Sequence, residues 1–139
     1  MNKITLSLLT LLIVSGLMLS ACGLAGNPVK GTSWKLVSYG PAGKQIPAAA
    51  GIETSLDFVT DGRVNGNVGC NSFGGNYEVK NGEIVFTEML STMMACQGPQ
   101  MDQERAVLQV MNGTVSFQLQ GNSLVIQAAD GINAITLSK

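Results

Sequence analysis

Four turn-forming dipeptides, each set between two short runs of alternating apolar and polar side chains, constrain this chain most. Asp61-Gly62 separates residues 54–59 from 63–68, and Asn81-Gly82 separates 76–79 from 83–86. Gly121-Asn122 separates 115–120 from 123–127, and Asp130-Gly131 separates that run from 132–137. Asn-Gly and Asp-Gly suit type I′ turns, where both central residues take positive φ; glycine at the first position also suits type II′. Repeated two-residue turns predict an antiparallel meander.

The faces of the runs agree. Val115, Phe117 and Leu119 alternate with Ser116, Gln118 and Gln120; Leu124 and Ile126 form a second such set, and Ile135 and Leu137 a third. One apolar and one polar face per strand is the pattern of an antiparallel sheet with one wetted side. An earlier strand is expected at 34–39, with Trp34, Leu36 and Ser38 on one face and Lys35, Val37 and Tyr39 on the other. Residues 40–51, rich in Gly, Pro and Ala, read as a loop. One helix interrupts the strands. Gly98-Pro99 starts it, with Pro99 at the first helical position, and Asn112-Gly113 ends it. Asp102 and Glu104 lie where the helix dipole favours negative charge, and Met101, Val107, Leu108 and Met111 form its apolar stripe. The fold class is mainly β (α+β).

The N-terminus carries a different signal. Lys3 precedes an apolar run from Ile4 to Leu19, and Leu19-Ser20-Ala21-Cys22 follows. The run is short for a transmembrane helix. The segment resembles a bacterial lipoprotein signal peptide with its lipobox, which implies cleavage before Cys22 and a lipid on the Cys22 sulfur. Gly23, not an acidic residue, follows it; by resemblance to sorting signals this favours the outer membrane, facing the periplasm. The expected organisation is a signal peptide over 1–21, a lipidated tether over 22–30 and one domain over 31–139. The 118 residues after the leader hold seven Lys and Arg against nine Asp and Glu, a net charge of −2. There is no basic stretch, so nucleic acid is not an expected partner. Histidine is absent from the chain, which excludes imidazole base chemistry and His-bearing zinc sites. Besides Cys22 there are Cys70 and Cys96, an even pair in an exported chain. One disulfide is the default reading and two buried thiols the competing one.

The central motifs are Gly66-Asn67-Val68-Gly69-Cys70-Asn71-Ser72-Phe73-Gly74-Gly75-Asn76-Tyr77, then Ser91-Thr92-Met93-Met94-Ala95-Cys96 and Met101-Asp102-Gln103-Glu104. With Trp34-Lys35-Leu36 and Leu56-Asp57-Phe58 before an Asp-Gly turn, they resemble the META domain, the HslJ-like family of bacterial envelope proteins. The likeness spans roughly Gly31 to Leu137. Met93 departs from it, since many members carry a basic residue there. The resemblance implies a small incomplete β-barrel with one covering helix, and links to envelope stress, drug tolerance, secretion or motility without an accepted reaction.

These residues also have a structural account. The glycines permit bulges and close approach, Asn71 can bond nearby backbone, and the cysteines can tie the Gly-Cys-Asn turn to the segment before the helix. The expected function is a non-enzymatic envelope lipoprotein that binds or supports another envelope component. Asn71 and Glu104 are the candidate recognition residues and Tyr77 a packing control. The alternative is a carrier of a small apolar ligand or lipid, held between sheet and helix by Met89, Met93, Met94, Met101 and Met111. No catalytic residue, cofactor or metal is expected. Cys70 and Cys96 lack a histidine to activate them, and Asp102 and Glu104, two apart on a helix, do not face each other. Exposed helix-start charges are the simpler reading of that pair. The expected partners are the membrane, through Cys22, and an envelope protein or apolar ligand.

Overall fold

The computed structural model describes residues 26–139; the leader, the lipobox and Cys22 lie outside the described residues. Its strands are β1 (Thr32–Pro41), β2 (Ile46–Pro47), β3 (Ser55–Phe58), β4 (Arg63–Asn67), β5 (Ser72–Lys80), β6 (Glu83–Ser91), β7 (Gly113–Gln120), β8 (Ser123–Gln127) and β9 (Asn133–Ser138). Among the described residues a single helix, α1 (Pro99–Val110), joins β6 to β7. Every neighbouring pair is antiparallel, and the order β1-β3-β4-β5-β6-β7-β8-β9 is closed by β1 pairing with β9. The mainly-β meander with one helix is as expected. The ring of pairing is closed, and its wall is low at two seams: β1 meets β3 over three residue pairs and β6 meets β7 over four. The two-residue β2 lies along the outer half of β1, inside the expected loop.

The turns fall into two kinds. Asn81 and Gly82 both have positive φ, 53° and 80°, as a type I′ turn requires. At Gly121-Asn122 the glycine alone has positive φ, which suits type II′. The two Asp-Gly turns depart from expectation because their loops are longer. Gly62 N–H bonds Val59 O and Gly131 N–H bonds Ala128 O, with only the glycine left-handed. Each aspartate instead accepts the N–H two residues on, from Arg63 and Ile132.

A bulge corrects the predicted face of β1. Pairing with β9 slips between Leu36 and Ser38, so Val37 is the extra residue and the alternation changes phase. Trp34 and Leu36 point inward as expected, but beyond the bulge Tyr39, not Ser38, is buried. The interior is filled by Trp34, Leu56, Phe58, Ile84, Leu124, Ile126, Ile135 and Leu137, all nearly inaccessible. The expected tether is part of this packing from Asn27 onward. Val29 is fully buried, and Gly31 N–H bonds Phe58 O at 2.7 Å.

Strand direction fixes the two ends of the barrel. The chain enters β1 beside the 59–62, 81–82 and 121–122 turns, and Lys139 N–H reaches Asn122 O at the same end. The 67–71 turn, the loop after β6 and α1 lie at the other end.

Tyr77 sits in the wall as a packing residue. Its ring meets Phe58 edge-on with centroids 4.8 Å apart, and its hydroxyl donates to Val59 O at 3.1 Å. Burial raises its phenol above the ordinary tyrosine range, partly offset by a hydrogen bond with Asn27. The folded state therefore holds this proton when the unfolded state has lost it. The contribution is complete below the unfolded pKa, about 10, and is lost as pH rises through the folded value. Thermal melting from pH 8 to 11 should show an alkaline loss of stability that is smaller in Tyr77→Phe. That variant should also lose about 1 kcal/mol at neutral pH through the missing hydrogen bond.

Candidate functional site

At the helix end, the turn between β4 and β5 is drawn against the first turns of α1. Asn67 shapes the turn: its Oδ1 accepts Gly69 N–H at 3.0 Å. Gly69 allows the approach. A Cβ there would lie 2.3 Å from Gln100 O and 2.7 Å from Glu104 Cβ. Gly69→Ala should therefore cost about 2–3 kcal/mol as overpacking between turn and helix, read as a lower denaturation midpoint.

Across this contact Glu104 reaches back to the Gly-Cys-Asn turn. Its Oε2 accepts the N–H of Cys70 at 2.8 Å and the N–H of Asn71, and its Oε1 accepts Asn71 Nδ2 at 2.9 Å. Only 6% of Glu104 and 3% of Asn71 is exposed. Among the described residues no Lys or Arg pairs with Glu104, so its charge is met by N–H donors alone. The expectation of exposed helix-start charges holds for Asp102, which pairs with Arg105, and is corrected for Glu104. The reason is phase: Gln103 and Glu104 stand one turn before Val107, on the face continued by Val110 and Met111.

Asn71 then grips the loop after β6. Its Oδ1 accepts Thr92 Oγ1 at 2.8 Å and Met94 N–H at 2.7 Å, and its Nδ2 also donates to Met94 O at 3.3 Å. The neighbouring Cys70 forms a disulfide with Cys96, their Cα atoms 6.0 Å apart. Gln103 completes the set, donating to Val68 O and accepting Ala49 N–H, both at 2.7 Å. Thr92 and Gln103 were not singled out from the sequence. For Gln103 the available signal was a polar side chain in phase with the apolar stripe. Asn71 and Glu104, the predicted recognition pair, are thus brought together, buried, and bonded to each other and to the loop.

What this clamp presents outward is apolar. Leu90, Met93 and Met94 are 77%, 96% and 56% exposed. The five methionines expected to line one pocket are divided: Met111 is in the core, Met89 and Met101 are half-buried, and Met93 and Met94 face solvent. Between sheet and helix lies a cleft of about 240 Å³ lined by Met89, Leu90, Ser91, Leu108, Met111 and Asn112. It is smaller than the roughly 300–1,000 Å³ of a typical small-molecule site. Among the described residues no group of His, Cys, Asp or Glu is arranged to hold a metal ion.

A closed antiparallel barrel plugged at one end by a helix, with a Gly-Cys-Asn turn locked to that helix, defines the class. The chain belongs to the META domain family, whose family model matches residues 27–139. META is not a known enzyme family. No curated protein matches the chain. Among solved structures, a protein from Burkholderia xenovorans determined by NMR is 22% identical, with a TM-score of 0.66 over 86% of this chain and 94% of that one. A second NMR structure is 21% identical, with a TM-score of 0.60 over 78% and 88%. A DUF4847 family protein from Bacteroides vulgatus, 11% identical, gives 0.56 over 80% and 94%. These likenesses are of fold.

Proposed function

We propose that this protein is a non-enzymatic envelope lipoprotein of the META/HslJ type. It is anchored to the outer membrane through Cys22, faces the periplasm, and binds another envelope protein at its helix end. The observation that carries this reading is the trio Leu90, Met93 and Met94. Large apolar side chains are exposed there on a segment ordered by Asn71, Glu104 and the disulfide. A fixed apolar surface with a polar surround is the usual character of a protein contact site. Asn71 and Glu104 serve recognition by setting that surface. The domain begins at the opposite end of the barrel, so a lipid on Cys22 leaves the helix end turned away from the membrane. Envelope-stress or secretion support is the process such a contact would serve. The carrier alternative has less in its favour, since side chains fill the barrel and the methionines do not converge.

Fractionation combined with site-specific photo-crosslinking tests this. Wild type is expected in the outer membrane and Cys22→Ala in the soluble or uncleaved pool. A photoreactive residue at Met93 should give an adduct with a second envelope protein, and one at Lys80, exposed at the opposite end of the barrel, should not. Soluble wild-type protein, or no adduct from Met93, would contradict the reading.

A further inference from the structure

The helix end also holds an incompletely paired strand. Strand β7 covers β6 only from Glu83 to Phe86, so from Thr87 onward β6 has β5 alone as a neighbour. A bulge makes the separation. Glu88 is left-handed at φ 54° and is the extra residue opposite Gly75, where a Cβ would lie 2.4 Å from Met89 Sδ. Such a bulge raises local twist and turns the strand end from its former neighbour.

The direction of the free main-chain groups follows from the register. Thr92 N–H donates to Ser72 O at 3.0 Å, and Leu90 stands opposite Gly74. Alternation therefore turns the N–H and C=O of Ser91, and of Met89 two residues earlier, to the outer edge. Among the described residues nothing bonds them there. That edge opens into the cleft of about 240 Å³, whose far wall is Leu108, Met111 and Asn112.

We infer that an extended segment of the partner protein adds to β6 as a further strand, bonding the main chain of Ser91 and Met89. One of its large apolar side chains enters the cleft between Leu90, Leu108 and Met111. This rests on the proposed function and names its mode of recognition. The occupant follows from the chemistry: free main-chain donors and acceptors call for a strand, and the adjacent cleft, walled by Leu90, Leu108 and Met111 with Ser91 and Asn112 beside them, takes one of its side chains. The protein's own N-terminal segment is excluded as occupant. Residues 22–25 span at most about 14 Å, whereas nine residues of β6 separate the two ends by about 30 Å. Glu88 lies on the other side, over β5, where it accepts Asn76 Nδ2, and takes no part in the added strand.

Amide exchange followed by mass spectrometry on the mature lipoprotein in detergent tests the inference. The probes are heptapeptides alternating Leu or Met with Thr and ending in Lys, with proline-interrupted versions as controls. The alternating peptides should slow exchange at Ser91 at least tenfold, and the controls should not. Ser91→Pro, which removes an N–H facing the edge and leaves the β5 ladder intact, should bind at least tenfold more weakly at unchanged melting temperature. Should that variant fold poorly, Leu90→Asp is the second test, with the same expected loss. Unchanged exchange, or equal binding by the variant that folds, would overturn the inference. So would a dimer of the protein alone with Ser91 already protected, which would make a second copy the occupant. If the peptides fail while the Met93 adduct still forms, strand addition falls and the proposed function stands; if the adduct is also missing, both fall.

Discussion

Glu104→Ala is expected to lower the stability of the folded domain by about 3–5 kcal/mol, one of the two largest single side-chain effects at the helix end. The carboxylate accepts from Cys70 N–H, Asn71 N–H and Asn71 Nδ2. Its removal leaves the buried N–H groups of Cys70 and Asn71 without partners, each worth about 1–3 kcal/mol and not fully additive, and takes one of the two acceptors of Asn71 Nδ2. Glu104→Gln should cost less but still about 2 kcal/mol, since one oxygen is replaced by a donor facing donors. Asn71→Ala should resemble Glu104→Ala, because it frees both Glu104 Oε1 and the 92–94 loop. Urea unfolding of the purified protein reads these values. Wild-type midpoints for Glu104→Gln and Asn71→Ala would mean that the two side chains do not hold the fold.

Loss of the Cys70–Cys96 bridge should cost about 3.5 kcal/mol on the chain-entropy model for a separation of 26 residues. Reduction, or a Cys70→Ser/Cys96→Ser pair, should leave the barrel folded, because Asn71 still bonds Thr92 and Met94. The bridge and Asn71 restrain one segment from neighbouring positions. Combining Asn71→Ala with the cysteine pair should therefore deviate from additivity by more than 0.5 kcal/mol. Thermal melts with and without reductant on both backgrounds measure this. A reduced protein as stable as the oxidised one would contradict it.

The meander, its hairpins and the helix were legible because each depends on neighbours in sequence. Asn81-Gly82 needs only two positive φ angles, and Pro99 and Gly113 mark the helix ends by local chemistry. What escaped depends on contacts between distant segments. Gly74 and Gly75 sit inside β5, where Gly75 makes room for Met89 across a bulge, so β5 and β6 run further than their turn dipeptides suggested. Val37 shifts the phase of β1 only because β9 pairs on both sides of it. The burial of Glu104 was hidden for the same reason: its partners lie 33 and 34 residues earlier in the chain. Asn71 and Glu104 were drawn out as a pair by their motifs, while the exposed surface beside them needed the folded loop to become visible.

On the proposed reading the buried clamp sets a surface and the exposed methionines make the contact. Melting temperature and recovery of the envelope partner, measured side by side on Met93→Ser/Met94→Ser and Glu104→Gln, test it most directly. The methionine pair is predicted to melt within about 2 °C of wild type, as exposed substitutions do, and to lose the partner. Glu104→Gln is predicted to melt lower and to recover the partner in proportion to what remains folded. A methionine pair that keeps the partner, with a Glu104→Gln protein that melts normally and loses it, would contradict the account.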